Sequence, residues 1–371
     1  MSIPNEILSR FPNLSDAEMS RLLEPPTGPV RMILDTDTHN EIDDQFALAW
    51  TLLSPEQIKL EGVCAEPYSF QHHRPGLLMA HHAIERGGPT NEEETKAVNQ
   101  YSSWVKGLLD VGTDPHDVTF VPPDVGMEKS YEEILTVYEK LEMDPAGMAF
   151  RGSPGYLSSL DAPIQSESVE LIIERALAQD DQPLYLSAIG CVTNIASALL
   201  IAPEIIKNIV VLWTAGYPSR SHRSNRPALN LVQDRLASQL LFACGVPLIY
   251  LPGYYIGAQL RLSLPEMETW VRGKGKIGDY LYWLYTHNPI HAQRGVNGHF
   301  GRSWVIWDMI NIAWLIDPDW VPTDMMRSPL LGDDLLWHHP EDVQQHLMRE
   351  AFDINRDAIF RDFFAKLDHA P

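Results

Sequence analysis

The feature that most constrains this chain is a strand that ends in two aspartates and is soon followed by a second acidic pair. Residues 30–36 form a mostly apolar run, with Asp35 and Asp37 at its end. Asp43 and Asp44 then open a segment with apolar residues at helical spacing. A strand–loop–helix unit of this kind places carboxylates at the carboxyl end of a strand, where open α/β sheets bind ligands. Four carboxylates so close together repel one another unless a cation neutralises them.

The donor atoms indicate which cation would suit such a site. Oxygen ligands without a Cys or His pattern favour a hard ion, calcium or magnesium, over zinc. An aspartate at a helix N-terminus is also common as a cap, which explains one or two of these residues but not all four. The sequence therefore predicts a metal site.

Strand-like and helix-like segments alternate along the rest of the chain. This pattern predicts an α/β fold with an open, mostly parallel, Rossmann-like sheet that helices cover on both faces. Residues 1–29 are expected to form an N-terminal arm in which Ser15 and Glu18 cap a short helix. Residues 30–371 are expected to form one domain, with an insertion at about 87–130, where the sequence is polar and punctuated by Gly and Pro.

The composition of the chain argues against some classes of binding partner. A formal net charge of −22 over 371 residues, with no basic cluster, argues against nucleic acid or an anionic membrane surface. Cys64, Cys191 and Cys244 lie in apolar or strand-like contexts, which is typical of reduced core thiols. We also find no signal-peptide pattern and no apolar window of membrane-spanning length. The expectation is a cytoplasmic protein that binds a small molecule.

The acidic motif and three later segments resemble the calcium-dependent nucleoside hydrolases of the inosine–uridine-preferring type. The opening Asp-x-Asp-Pro-Gly-x-Asp-Asp of that family aligns with Asp35, Asp37, Asp43 and Asp44. The three later segments that look like family segments are Gly190-Cys-Val-Thr-Asn-Ile-Ala196, Asn230-Leu-Val-Gln-Asp-Arg-Leu-Ala237 and Trp307-Asp308-Met-Ile-Asn-Ile-Ala-Trp-Leu-Ile-Asp-Pro318. Four segments in the same order across residues 30–320 make the resemblance specific.

The resemblance implies a nucleoside hydrolase-like fold, one Ca²⁺ ion per subunit and a homodimer or homotetramer. The calcium ligands that it implies are the side chains of Asp37, Asp44 and Asp308 and the main-chain carbonyl of Ile189.

Further roles follow from the same resemblance. Asp37 would also be the base that deprotonates the metal-bound water, and Asp43 and Asn230 would contact the ribose. Asp35 would organise the loop. The implied reaction is hydrolysis of the N-ribosyl bond of a nucleoside or related riboside.

Thr193 and Asn194 are predicted to cap the helix that follows them.

Several positions depart from the family pattern. The loop between Asp37 and Asp43 is two residues longer, which makes Asn40 a candidate sugar contact. Ala228 replaces an acidic residue that contacts the ribose in the family. Glu66 replaces an asparagine after the second strand, and we expect it to be an exposed loop carboxylate.

The largest departure concerns the leaving group. Trp307 stands where the family has the histidine that protonates the departing base. Tryptophan can stack on a base but cannot protonate it. His291 and His299 lie just upstream in a segment where the family has a mobile loop, and they are candidate replacement acids. Trp304 and Trp314 are expected to lie near the same site as Trp307.

Two other functions fit parts of the pattern. Asp35-Thr-Asp37-Thr38 matches the Asp-x-Asp-x-Thr signature of haloacid dehalogenase phosphatases, which use magnesium and need a lysine beside the phosphoryl group. Lysine is scarce after residue 140, and that family has no equivalent of the Asp43–Asp44 pair.

A non-catalytic, calcium-dependent nucleoside- or sugar-binding protein is the second alternative, because the leaving-group histidine is absent. Retention of the aspartates favours the enzyme. The paired histidines His72–His73, His81–His82 and His338–His339 are expected to have surface or helix-packing roles, because adjacent side chains on a helix point in different directions and no Cys/His spacing supports zinc.

Overall fold

The computed structural model describes residues 3–178, 180–288, 301–340 and 345–371. Its α-helices are α1 (Asn5–Leu8), α2 (Asp16–Leu22), α3 (Asp43–Leu52), α4 (Arg74–Glu85), α5 (Glu92–Asp110), α6 (Pro123–Lys140), α7 (Glu167–Leu177), α8 (Thr193–Ile201), α9 (Leu229–Val232), α10 (Arg235–Ala243), α11 (Leu264–Trp270), α12 (Gly275–Thr286), α13 (Met309–Ile316) and α14 (Arg356–Leu367). Its strands are β1 (Val30–Thr36), β2 (Ile58–Ala65), β3 (Ala149–Phe150), β4 (Leu184–Ala188), β5 (Ile209–Ala215), β6 (Leu248–Pro252), β7 (Arg261–Ser263), β8 (Ser303–Val305), β9 (Thr323–Arg327), β10 (Leu330–Leu331), β11 (Trp337–His338) and β12 (Leu347–Ala351).

The central sheet has eight strands in the order β3-β2-β1-β4-β5-β6-β12-β9. Each neighbouring pair is parallel except β12 and β9, which are antiparallel at one edge. Strands β4, β5 and β6 are buried along their whole length, as expected for a parallel sheet covered on both faces. The predicted open, mostly parallel sheet is confirmed.

Helices cover both faces of this sheet because successive side chains of a strand point to opposite sides. Met32 of β1 belongs to a core that includes Phe46 of α3 and Ile310 of α13. Its neighbour Ile33 belongs to a second core, which includes Ile172 of α7 and side chains of α8 and α10. Two apolar cores therefore enclose the sheet and hold its strand ends in fixed positions.

The N-terminal segment packs on this framework. Ser15 and Glu18 make the predicted reciprocal cap at the start of α2. Ile7 and Met19 are fully buried, which anchors α1 and α2 to the body of the protein. Among the described residues, no helix combines the length and apolar character needed to cross a membrane.

The stretch 87–130, the expected insertion, contains α5 and the beginning of α6. Helix α5 packs against α4 through a small apolar cluster that includes Leu77, Tyr101 and Leu108. Met127 of α6 lies in the main core. This polar stretch is therefore largely helical and buries part of its apolar surface, although Leu109, Val111 and Val125 are exposed.

Candidate active site

The carboxyl ends of four neighbouring strands meet at a cavity of about 340 Å³. Asp37 follows β1 and Ile189 follows β4, while Ala215 ends β5 and Gly253 follows β6, and all four residues line the cavity. Parallel strands bring these positions together because their carboxyl ends lie at one edge of the sheet. The volume lies within the range of small-molecule sites.

A tight acidic group lies on one wall of this cavity. Asp43 and Asp44 occupy the first turn of α3, and Asp308 immediately precedes α13. Their ligand atoms all lie within 4.8 Å of one another, and all three side chains are buried. Asp37 is also buried and lines the same cavity, but it lies outside this group of three. The structure thus brings the four predicted acids together and puts Asp43, expected to contact ribose, into the tightest group.

These carboxyl groups are in an electrostatically unfavourable position. Burial, followed by repulsion from neighbouring carboxylates, raises the pKa of Asp37, Asp43 and Asp308 well above the usual value. Burial also raises the pKa of Asp44 to about 7, although the Thr36 hydroxyl donates to its Oδ1 at 2.5 Å. Oδ1 of Asp43 has no hydrogen-bond partner in the described structure.

The described part of the chain offers these acids no lysine or arginine as a neutralising partner in the cavity. Buried charges need pairing, and an oxygen-only donor set is the chemistry that hard divalent cations prefer. The residues present therefore fit a divalent metal ion.

The long loop after β1 folds back as a turn onto Asp37. The main-chain N–H of Asn40 donates to the Asp37 carbonyl at 2.7 Å, and its side-chain Nδ2 donates to Asp37 Oδ2 at 3.0 Å. Asn40 also lines the cavity, and its Oδ1 has no hydrogen-bond partner in the described structure. Asn40 thus orients the Asp37 carboxylate and retains one free acceptor.

Asn230 joins the ends of two strands at the cavity. Its Nδ2 donates to the carbonyl of Ile189 at 2.7 Å and to that of Thr214 at 3.1 Å. A carbonyl oxygen has two lone pairs, so the Ile189 carbonyl can still accept a second partner. Asn230 is half-buried and lines the cavity, as its predicted ribose contact requires.

Helix α8 departs from the predicted capping arrangement. The helix begins at Thr193 itself, and the preceding Val192 makes no side-chain cap. The Thr193 hydroxyl instead donates to Asp234 Oδ2 at 2.7 Å, and Asn194 Nδ2 donates to Asp35 Oδ1 at 2.8 Å. These polar side chains tie α8 to the end of β1 and to the start of α10, which explains why they are buried at a helix start.

A second carboxyl pair lies behind the cavity wall. Glu66 is fully buried, so the expectation of an exposed loop carboxylate is wrong. Burial raises the pKa of Glu66 well above its usual value and that of neighbouring Asp35 to about 7. One signal in the sequence could have placed Glu66 here, because it directly follows β2 as Asp37 follows β1.

Gly190 allows this crowded arrangement. A Cβ at this position would lie 2.5 Å from Glu66 Oε2 and 2.8 Å from Asp37 Oδ1. Those distances are far below ordinary van der Waals contact, so a side chain here would displace one of the carboxyl groups. Close approach of the β4–α8 turn to Asp37 thus depends on a glycine.

Aromatic side chains form the opposite wall. The aromatic residues that line the cavity are Phe70, His73, Tyr254, Trp304 and Trp307. The rings of Trp307 and Tyr254 meet edge to face, 5.6 Å apart. Such a wall can accept a planar base by stacking.

The outcomes for the aromatic and histidine predictions differ. His73 has the expected packing role, against Tyr101 and Trp104, and it also lines the cavity. No sequence motif indicates Tyr254. Trp314, expected near the site, is fully buried in the core beside Tyr185. His291 and His299, the predicted acids, lie outside the described residues.

An acid-lined cavity at the carboxyl edge of a parallel sheet, faced by aromatic rings, defines this chain as an α/β protein with a candidate metal and ligand site. The sequence profile of the family described as "Inosine-uridine preferring nucleoside hydrolase" matches residues 79–357. The chain belongs to this family. The matched region includes Asn230 and Asp308 but begins after the acidic motif at 35–44.

Curated relatives align over a shorter region. The non-specific ribonucleoside hydrolase RihC of Shigella flexneri serotype 5b is 29% identical over 153 residues, which cover 40% of this chain and 46% of the relative. The protein of the same name from Salmonella paratyphi B is 28% identical over 151 residues, with the same coverage. The chain thus matches less than half of the length of these relatives.

Solved structures share the whole fold. A purine-preferring ribonucleoside hydrolase from Gardnerella vaginalis superposes with a TM-score of 0.58 at 18% identity, covering 91% of this chain and 98% of the other. An inosine-uridine preferring nucleoside hydrolase from Bacillus anthracis superposes with a TM-score of 0.55 at 16% identity, covering 91% and 99%. These likenesses confirm the nucleoside hydrolase-like α/β fold.

Proposed function

We propose that this chain is a calcium-dependent hydrolase of the N-ribosyl bond of a nucleoside or related riboside. The observation that carries the proposal is the convergence of Asp37, Asp43, Asp44 and Asp308 at the cavity edge of the sheet, where all four are buried and no lysine or arginine of the described chain lines the cavity. Family membership supports it, as do relatives whose names describe ribonucleoside hydrolases.

The cation would be held by oxygen atoms alone. Asp43, Asp44 and Asp308 form the tightest group, and Asp37 and the Ile189 carbonyl line the same cavity. Calcium accepts six to eight oxygen ligands in flexible geometry, which such a set can satisfy with substrate hydroxyls and water. When bound, the ion would neutralise the carboxylates and acidify a coordinated water molecule.

The side chains around the ion would have separate roles in the reaction. Asp37, oriented by Asn40, would take the proton from the attacking water. Asp43 and Asn230 would hold the ribose hydroxyls. The surrounding carboxylates would stabilise the positive charge that develops on the sugar as the glycosidic bond breaks. Attack from the face opposite the base would invert the anomeric centre.

Departure of the base would rely on the aromatic wall. Trp307 cannot donate a proton to the base, but its ring, which Tyr254 supports edge to face, can stack on a planar purine. His73 is the histidine that lines the cavity in the described part of the chain, and it joins His291 and His299 as a candidate acid. We infer that purine nucleosides are better substrates than pyrimidine nucleosides, because the larger purine ring can make more contact with the aromatic wall.

The phosphatase alternative disagrees with the geometry. In that chemistry Asp35 would be the nucleophile, yet Asp35 is not among the residues that line the cavity. Its Oδ1 accepts a hydrogen bond from Asn194, and no lysine of the described chain lines the cavity. Asp35 instead supports the loop that carries Asp37, as the resemblance implies.

Hydrolysis of p-nitrophenyl riboside tests the proposal. Its leaving group needs no protonation, so the absent histidine cannot mask a working site. We expect turnover that EDTA abolishes and added calcium restores. Calcium binding without turnover, on this substrate and on purine nucleosides, would show that the chain is a calcium-dependent binding protein and not an enzyme.

A further inference from the structure

A second group of metal-binding residue types lies away from the cavity, between α4 and the short 3₁₀ helix Pro115–Asp117. His81 and His82 are on α4, His116 is in the 3₁₀ helix and Asp114 directly precedes that helix. The ligand atoms of His81, Asp114 and His116 all lie within 4.8 Å of one another. None of these residues lines the candidate active site.

The separations suit ligands that share one ion. His81 Nε2 lies 3.9 Å from Asp114 Oδ1 and 3.6 Å from Glu85 Oε2. These contacts are too long for hydrogen bonds. Ligand atoms bound to zinc at about 2.1 Å are about 3.4 Å apart in a tetrahedral site and can be no more than about 4.2 Å apart. The separation of His81 Nε2 and Asp114 Oδ1 is therefore that of two ligands around one centre rather than that of hydrogen-bonded partners.

His81 is the residue that points most directly to a bound ion. Its side chain is only 4% exposed, and its Nδ1 has no hydrogen-bond partner in the described structure. Its Nε2, the nitrogen that faces Asp114 and Glu85, lies beyond hydrogen-bond distance of both carboxylates. A buried imidazole that loses its contacts with water and gains no hydrogen bond is unfavourable, and coordination through Nε2 would give the ring a direct partner.

Other contacts hold the two sides of this group in place without an ion. Arg74 donates to the carbonyls of Val118 at 2.6 Å and His116 at 3.1 Å. The main-chain N–H of His116 donates to Asp114 Oδ1 at 2.8 Å, which caps the 3₁₀ helix. The ligand-bearing residues are thus positioned in advance, so binding requires little reorganisation.

We propose that His81, Asp114 and His116 form a binding site for a late first-row divalent ion, best suited to Zn²⁺. Two imidazoles and one carboxylate favour zinc over calcium, in contrast to the oxygen-only group at the cavity. His82 Nε2 and His116 Nε2 share a hydrogen bond at 3.0 Å, which coordination through His116 Nε2 would replace by the bond to the ion. The ion would connect α4 to the segment after α5 and so stabilise the small apolar cluster around Leu77.

The test is a zinc titration of protein that carries no affinity tag, after treatment with a chelator and in the presence of excess calcium. On the proposed function, excess calcium would fill the oxygen-only acidic group, so that zinc uptake reports on the histidine site. We expect one zinc ion per chain by direct metal analysis and a rise in Tm on zinc addition. Co²⁺ in place of Zn²⁺ should give the visible absorption of a nitrogen-containing site.

Substitution of the proposed ligands locates the bound zinc. His81→Ala and His116→Ala should each weaken zinc binding at least about 10-fold and remove the rise in Tm. His116 is exposed, so its variant folds normally even if loss of the buried His81 ring destabilises the chain. His338→Ala is the matched control, because His338 also lies beside an aspartate, Asp334, at 3.1 Å. Unchanged zinc affinity in His116→Ala, or displacement of zinc by calcium, would overturn the proposal.

Discussion

The side-chain amide of Asn40 donates to Oδ2 of Asp37 at 3.0 Å, and its main-chain N–H donates to the Asp37 carbonyl at 2.7 Å. These two bonds fold the long loop after β1 into a turn that fixes the carboxylate of the proposed base. The sequence makes Asn40 a candidate sugar contact, and its Oδ1 is free to serve as one. Its present partner, however, is Asp37.

The variant Asn40→Ala distinguishes these two roles. Loss of a hydrogen bond to a charged group costs about 1.5–3 kcal/mol, so kcat on p-nitrophenyl riboside should fall about 10- to 100-fold with little change in KM. Steady-state kinetics with saturating calcium provides the measurement. A rise in KM at unchanged kcat would instead assign Asn40 to sugar binding.

Replacement of Asp37 by asparagine tests the proposed base. The amide cannot accept the proton of the attacking water, so turnover should fall at least about 100-fold. Calcium binding should be weakened only in part, because Asp43, Asp44 and Asp308 remain. Asp44→Asn is the comparison and should lose most of its calcium affinity by calorimetric titration. Full activity in the Asp37 variant would exclude Asp37 as the base.

The variant Gly190→Ala tests the close approach of the β4–α8 turn to the acids. The new methyl group would lie 2.8 Å from Asp37 Oδ1 and 2.5 Å from Glu66 Oε2. We expect a loss of about 1–3 kcal/mol in unfolding free energy together with weakened calcium binding. Gly155→Ala is the matched control, because nothing lies within 4 Å of its added Cβ. Equal behaviour of the two variants would contradict the crowding.

The buried acids predict an unusual pH dependence of stability in the metal-free protein. The pKa of Asp35 and of Asp44 is raised from 3.8 to about 7 by burial. Between these values the folded protein binds more protons than the unfolded chain, so the free energy of unfolding falls as pH rises through this window. Below it, at about pH 4, the stabilisation by protonation is fully present.

Thermal unfolding of the protein after metal removal with a chelator tests the direction of this pH dependence. Tm should be lower at about pH 8 than at about pH 5, by about 5 °C or more, and saturating calcium should restore it at the higher pH. Calcium should have a smaller effect at about pH 5, where protons compete for the same carboxylates. If the metal-free protein were instead more stable at about pH 8, these carboxyl groups would be ionised, and the protein itself would stabilise their charges without a metal ion.

The fold could be predicted well because its signals are local. The apolar runs that end at Thr36 and Ala65 define strand ends, and the carboxyl ends of parallel strands share one edge of a sheet. The position of Asp37 at the cavity follows from this rule, and Asp43 and Asp44 follow from the short loop after it. Asp308 could be added only by family resemblance, since it lies more than 260 residues further along the chain.

Other features depend on contacts that no local pattern reports. Glu66 lies under the β4–α8 turn, and its position directly after β2 places it at the edge of the sheet but does not report that packing. The same holds for His81 and His116, which are 35 residues apart and meet only because α5 folds back along α4. Aromatic residues are equally ambiguous, since Trp307 lines the cavity whereas Trp314, on the helix that follows, fills the core.

Trp307 provides the final prediction, because it stands where the family has a leaving-group histidine. Its half-buried ring lies at the cavity, edge to face with Tyr254. Stacking of a base on an aromatic ring contributes about 1–3 kcal/mol, so Trp307→Ala should lower kcat/KM for purine nucleosides about 10- to 100-fold. Pyrimidine nucleosides, with a smaller ring, should lose less.

Trp307→Phe is the matched variant, since it retains an aromatic face and should keep kcat/KM for purines within about 10-fold of the parent. Calcium affinity must be measured in both variants, because Trp307 directly precedes Asp308. Equal losses in the Phe and Ala variants at unchanged calcium affinity would show that the tryptophan does not act by stacking. A loss of kcat/KM in the Ala variant alone would show that the aromatic wall recognises the base.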